Sequence, residues 1–141
     1  MRRKDREITA VSEITEILDT CKTACIAMID HNVPYIVPLS YGYELKENRL
    51  TLFFHCAKEG RKLDILRRDH NVCFTIFNEG ELLRAEIPCN SGYSFSSIIG
   101  NGTVEWIEDS GEKREALKKI VAHQTGRDAE FTDGQSDLVC V

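Results

Sequence analysis

None of the six cysteines in this 141-residue chain forms a CxxC pair, and its four histidines stand alone, so the ligand spacing of a zinc site is absent. No apolar run approaches the ~20 residues of a membrane span, which excludes a spanning helix. No signal-peptide pattern is read either, so Cys21, Cys25, Cys56, Cys73, Cys89 and Cys140 are expected to be reduced thiols of a cytoplasmic protein. A basic excess is missing too. Eighteen Lys and Arg stand against 23 Asp and Glu, a net charge of −5, which argues against general nucleic-acid binding. The GxxxxGK-S/T spacing of a nucleotide-hydrolysing loop does not occur, and neither does the GxSxG elbow of a serine nucleophile. With no repeat and no low-complexity linker, 42% hydrophobic and 29% charged residues read as a single globular domain over residues 1–141.

What is present is organised around RLTLFFHCAKEGRKLDIL, from Arg49 to Leu66. Leu50, Leu52 and Phe54 alternate with Thr51 and Phe53, the period-2 pattern of a strand. The pattern stops at His55. A short connection through Gly60 follows, and Leu63, Ile65 and Leu66 then recur at helical spacing among basic residues. A strand thus delivers a histidine to its tip, and a turn hands over to a basic helix. Backbone N–H groups at a helix start are unpaired and carry partial positive charge, to which Arg61 and Lys62 add full charges. That combination suits a phosphate.

Along the rest of the chain, Ser12 starts an expected helix in which Ile14, Ile17 and Leu18 share one face, with Ser12 offering N-capping chemistry. Thr23–Ile29 reads as a buried strand ended by the turn Asp30-His31-Asn32. Pro34–Leu45 reads as a second strand in which Pro38 marks an edge, a bulge or a bend, and Gly42 adds a second permissive point. Glu47-Asn48 turns into the strand before His55. Asn71–Phe77 is a fourth strand, and Glu79–Asn90 stays open between a helical turn and an extended crossover. Tyr93–Ile107 is a long strand whose Gly100 and Gly102 suggest a sharp bend at a barrel corner. Asp109 and Ser110 start an amphipathic helix with Leu117, Ile120 and Val121 on one face and Gly126 after its end. A last strand begins at Leu138. Six strands of a mostly antiparallel sheet with three helices favour a small closed barrel.

Among residues able to do chemistry, His55 is placed where exposed functional groups collect, and a half-buried histidine bonded to a carbonyl is the plainer alternative. Arg61 and Lys62 fit either a solvated helix face or an anion site, and the preceding glycine favours the latter. Ser94, Ser96 and Ser97 are strand hydroxyls with no base nearby. Pairing of Cys56 with His55 is disfavoured, because adjacent side chains on a strand point to opposite faces. Glu105, Glu108 and Asp109 read as capping and surface charge.

Together, PYIVPLSYGY at 34–43, LTLFFHCAKEGRKLDILRRDHNVCF at 50–74 and CNSGYSFSSIIGNGTVEWIED at 89–109 resemble the flavin-binding split-barrel proteins related to pyridoxamine 5′-phosphate oxidase, and within them the nitroimidazole-resistance branch. The resemblance implies a mainly β fold with flanking helices, a six-stranded antiparallel split β-barrel that binds FMN. It implies a homodimer with FMN at the subunit interface and a small-molecule substrate, while the charge balance and the lack of an apolar run point to no nucleic-acid or membrane partner. By the same resemblance, Val37, Pro38, Leu39 and Ser40 line the isoalloxazine ring with backbone groups. His55 and Ala57 lie beside the flavin, with His55 the catalytic candidate. Lys62 holds the phosphate, Arg61 is a weaker phosphate ligand, and Ser96 and Ser97 lie near the cofactor. Relatives often carry arginine where Ser96 stands, and commonly continue beyond the last strand. The implied activity is FMN-dependent oxidoreduction, extending to nitroaromatic compounds. The alternatives are a non-catalytic flavin module or redox sensor, and a split barrel that binds another phosphorylated or aromatic ligand.

Overall fold

A computed structural model describes residues 3–47 and 49–132, and the backbone of 139–140. Helix α1 spans Val11–Thr20, strand β1 Thr23–Asp30, β2 Val33–Lys46, β3 Arg49–Cys56, helix α2 Arg61–Arg68, β4 Asn71–Leu83, β5 Gly92–Thr103, helix α3 Ser110–Thr125 and β6 Val139–Cys140. Every strand pair is antiparallel, and the order is β5-β4-β1-β2-β3-β6.

The β1–β2 hairpin closes through His31 and Asn32, both at positive φ (49° and 66°), the conformation that two-residue hairpin loops require. On β1, Ala24, Ile26 and Met28 point inward at every second position. They meet Ile17 and Leu18 of α1, Ile65 and Leu66 of α2, Tyr41 of β2 and Ile76 of β4, and these residues form the core. Strand β2 changes partner midway: Val33–Ser40 pair with β1, and Tyr41–Lys46 pair with β3. Pro38 therefore lies where β2 pairs on one side only, the edge position a proline tolerates. The other face of β2 and β3 is covered by α3, whose Ala116, Leu117 and Ile120 are buried. Asp109 caps α3 by accepting from the N–H groups of Gly111 (2.8 Å) and Glu112 (2.9 Å), and Gly126 ends it at φ 67°.

The closed six-stranded barrel is corrected. Five strands of eight residues or more form the sheet, β6 adds only two residues beside His55 and Cys56, and no pairing joins β5 to the β3 end among the described residues. Through the corner expected at Gly100 and Gly102, β5 keeps an uninterrupted ladder with β4 from Phe95 to Thr103. Gly100 instead faces the Phe74 ring across the ladder, where a Cβ would come within 2.6 Å of a ring carbon. Its missing side chain makes room for an aromatic.

Other boundaries also shift. Strand β4 runs through Asn78 to Leu83, past a register shift between Glu79 and Leu82, where the sequence left a crossover open. The expected N-cap at Ser12 is not made: α1 starts at Val11 after an uncapped Ala10, and the Thr15 hydroxyl donates to the Val11 carbonyl. Gly42 serves a close approach and not a bend. A Cβ there would come within 2.6 Å of the Ile120 nitrogen and the Lys119 carbonyl carbon of α3. Asn48 and Leu138 lie outside the described residues.

Candidate functional site

Alternation along β2 sorts the residues expected to line a ligand. Val37 and Leu39 are half-buried on the core side, and Pro38 and Ser40 are exposed on the opposite face. Because Pro38 has no N–H, its pair with Cys25 must be the non-hydrogen-bonded kind. The backbone groups of Ile36, Pro38 and Ser40 then point to the open edge of β2, with N–H donors at Ile36 and Ser40. That edge offers alternating donors and acceptors to a flat, polar-rimmed molecule.

Ser40 and His55 flank the last β2–β3 pair, Tyr41 with Phe54, so they stand beside each other where β2 leaves β1 for β3. His55 is half-buried, and its Nδ1 is buried with no hydrogen-bond partner. A buried polar atom left unsatisfied costs about 1–3 kcal/mol, so an unpaired ring nitrogen at a strand end is a position a ligand can complete. Cys56 points the other way; burial pushes its thiol pKa up, and Lys62 pulls against that shift.

After the exposed Ala57, Gly60 adopts φ 135°, open to glycine, and sets the start of α2. Its carbonyl takes the N–H of Leu63 (2.9 Å) and Asp64 (3.3 Å), leaving those of Arg61 and Lys62 without a backbone partner among the described residues. No side chain caps this end. Lys62 makes no hydrogen bond or ion pair among the described residues, whereas Arg61 is occupied. Its Nε donates to Asp30 at 2.9 Å, and its guanidinium lies 4.4 Å from the centre of the Tyr35 ring. Of the two cations expected at the helix start, Lys62 is thus the free one.

Ser96 and Ser97 are not brought to this place. Ser96 is half-buried on the inner face of β5, its N–H donating to the Asn78 side chain at 3.2 Å, and Ser97 is exposed on the outer face. Both border a groove of about 880 Å³ beneath Ile8, Ile14 and Ile17, with Arg3 and Arg6 among the lining residues. A second cavity, of about 310 Å³, lies between Leu50–Phe54 of β3 and Asn101–Glu105, and of the expected ligand residues only Leu39 lines it. Pro38, Cys25, Thr75 and Ile99 stand opposite one another across β2, β1, β4 and β5. Three strand spacings, about 14 Å, therefore separate β2 from β5.

A polar cluster buttresses the site. The fully buried Tyr41 hydroxyl sits 2.8 Å from the Leu18 carbonyl and 2.9 Å from that of Cys21, and its ring packs on His123 at 4.6 Å. Burial drives the Tyr41 pKa far up; burial and the bond to Asp19 (2.6 Å) push Tyr43 up to about 12. Burial, then the Lys22 charge, hold the His123 pKa below its usual value. None of these contacts is signalled in the sequence. Nor is Asp30, whose partners Arg61 and Arg68 lie 31 and 38 residues away.

An antiparallel sheet whose second strand changes partner beside an open edge, flanked by three helices, places the chain in the split-barrel-like class. Residues 10–137 match the family described as pyridoxamine 5′-phosphate oxidase, and the chain belongs to that family. It is similar to a candidate 5-nitroimidazole antibiotic resistance protein from Bacteroides thetaiotaomicron, with 30% identity and a TM-score of 0.81 over 94% of this chain and 78% of that one. Its fold is also that of an FAD- and heme-binding protein from Mycobacterium smegmatis, with 17% identity and a TM-score of 0.76 over 94% of this chain and 65% of that one. The flavocytochrome Anf3 from Azotobacter vinelandii shares it too, with 18% identity and a TM-score of 0.70 over 93% of this chain and 61% of that one. The chain therefore spans less than two thirds of the last two proteins. No curated protein matches it. Among the described residues, no helix is long and apolar enough to cross a membrane.

Proposed function

We propose that this protein is an FMN-dependent oxidoreductase that reduces nitroaromatic compounds of the nitroimidazole kind and works as a homodimer. The observation that carries the reading is the buried, unpartnered Nδ1 of His55. It lies beside the exposed Ser40 edge of β2 and one short loop before a helix start with free N–H groups and a free Lys62. These residues fit a flavin phosphate and ring: Lys62 with the N–H groups of Arg61 and Lys62 for the phosphate, and the N–H groups of Ile36 and Ser40 for the polar rim of the ring. When bound, the flavin would carry the electrons. His55 would orient the substrate or supply a proton to it. The 30% identity to the Bacteroides protein supports the nitroimidazole reading, and the FAD of the mycobacterial neighbour makes FAD the competing flavin.

The dimer rests on where the site residues fall. Ile36 (61% exposed), Phe77 (51%), Phe95 (64%) and Ile99 (73%) make the outer face of the sheet apolar and uncovered. Pro38 and Ser40 lie toward one side of that face and Ser97 toward the other, about 14 Å apart in strand spacings. A ligand that touches both needs β5 of a second copy laid over β2 of the first, and the same contact buries the apolar rows.

The test is an absorbance spectrum of the purified protein, with the cofactor identified after heat release and NAD(P)H oxidation followed with 2-methyl-5-nitroimidazole as acceptor. Flavin bands, released FMN and turnover are expected, together with a dimer in sedimentation. Bound flavin without turnover favours the non-catalytic module. A colourless protein that takes up neither FMN nor FAD overturns the reading.

A further inference from the structure

Resting on the reading that the first turn of α2 holds a flavin phosphate, we infer that Asp30, at the end of β1, is the residue that positions this turn for the phosphate. Its carboxylate is 14% exposed, accepts from two guanidinium groups and lies beside the His31 ring. Arg61 Nε donates to it at 2.9 Å, Arg68 Nη2 at 2.5 Å, and the neighbouring His31 Nδ1 lies at 2.8 Å. Arg61 and Arg68 are the first and last residues of α2. Seven positions apart, they share a helix face about two turns long, so a single carboxylate grips both ends of the helix. On its other side Leu63 and Leu66 are buried, and Ile65 is buried between the two arginines. The helix is pinned across its width and along its length.

The grip also decides which groups face the anion. Arg61 is drawn onto Asp30 and stacked over Tyr35, so its guanidinium is already engaged by the protein. Lys62 and two backbone N–H groups are left as the donors at the helix start. Hydrogen bonds to a phosphate weaken steeply once their angles fall, so a helix free to rock on its hydrophobic side would lose them while the rest of the pocket stayed intact. Asp30 touches no ligand in this scheme; it acts through α2.

The experiment titrates FMN, FAD and riboflavin into wild type, Asp30→Asn and Arg68→Gln, with circular dichroism to verify folding. Asp30→Asn is expected to weaken the phosphorylated flavins about tenfold and to leave riboflavin unchanged, so that preference for the phosphate collapses. Arg68→Gln, which frees only the far end, should shift the preference in the same direction by less. An equal loss for all three flavins means general loosening and overturns the inference. So does an unchanged affinity, or one that rises because the released Arg61 turns to the phosphate. A wild-type protein that does not prefer FMN or FAD to riboflavin overturns the phosphate reading itself, and the role of Asp30 with it.

Discussion

Replacing Gly42 by alanine should destabilise this protein although it adds only a methyl group and improves the strand propensity of the position. The new Cβ would sit 2.6 Å from the Ile120 nitrogen and the Lys119 carbonyl carbon and 2.8 Å from the Ile120 Cα. Ordinary contact begins at 3.4 Å, so the shortfall is about 0.8 Å, and every atom it meets is backbone. No side chain can rotate away; α3 itself must move. It is tied on both sides of the contact. Lys119 Nζ reaches Glu44 at 2.6 Å, and Gln124 Nε2 donates to the carbonyls of Lys22 and Tyr41, each at 2.9 Å. Overpacking of this kind costs about 1–3 kcal/mol, and each strained hydrogen bond about 1 kcal/mol more. Against that stands a gain of about 0.5–1 kcal/mol from the less flexible unfolded chain. The balance is a loss of about 2 kcal/mol, or about 6 °C in Tm for a chain of this size. Thermal and urea unfolding followed by circular dichroism measure it. Gly102, with nothing within 4 Å of its added Cβ, is the control, and its alanine variant should be neutral or slightly stabilised. A Gly42→Ala protein as stable as wild type would show that α3 does not rest on β2 as described.

Three further outcomes are expected. Lys62→Ala should weaken FMN binding about tenfold in low salt and by less in 0.5 M NaCl, because salt screens a half-exposed phosphate contact; unchanged affinity in fluorescence titration removes Lys62 from the site. His55→Ala should keep its flavin and its fold but lose most nitro-reduction, whereas failure to fold would make His55 a structural residue. The His123 pKa is lower in the folded protein than its ordinary value of 6.5, so the folded state binds fewer protons than the unfolded one just below that pH. Its contribution is therefore complete above about pH 6.5 and is lost as the pH falls below it. The urea midpoint should drop between pH 7.5 and 5.0 more in wild type than in His123→Gln, and equal drops would refute the assignment.

Much of the fold is written in local pattern, and the parts that are not share a cause. The Asp109 cap, the Gly126 stop and the Asp30-His31-Asn32 hairpin each depend on residues within a few positions, and each stands where the pattern put it. Strand β4 does not end at Phe77 because Asn78–Leu83, polar and glycine-containing, is held extended by β5, a partner supplied from elsewhere in the chain. Gly100 makes room for the Phe74 ring across the ladder, a partner that no local pattern marks. The candidate site divides the same way. His55 and Lys62 could be placed by spacing, since one strand and one helix start fix them. Arg61 could not, because its fate depends on a carboxylate 31 residues away. Ser96 and Ser97, both expected near the cofactor by resemblance, fall on opposite faces of β5.

The position of His55 follows from the partner change in β2. Ser40 and Gly42 lie on the same face of that strand, since they are two residues apart. At Gly42 the face is covered by α3, and at Ser40 it is open. On β3, Phe53 stands opposite Gly42, and the Lys119 ammonium lies 4.6 Å from the centre of its ring. His55, two residues on, falls on the boundary between the covered and the open halves. At that boundary the Nδ1 of His55 is buried without a hydrogen-bond partner. A histidine deeper under α3 would have to be satisfied within the fold, and one further out would be satisfied by solvent. The close contact of Gly42 with α3 marks the covered half, and so sets the packing of a helix on the sheet beside a buried side-chain nitrogen that has no partner among the described residues.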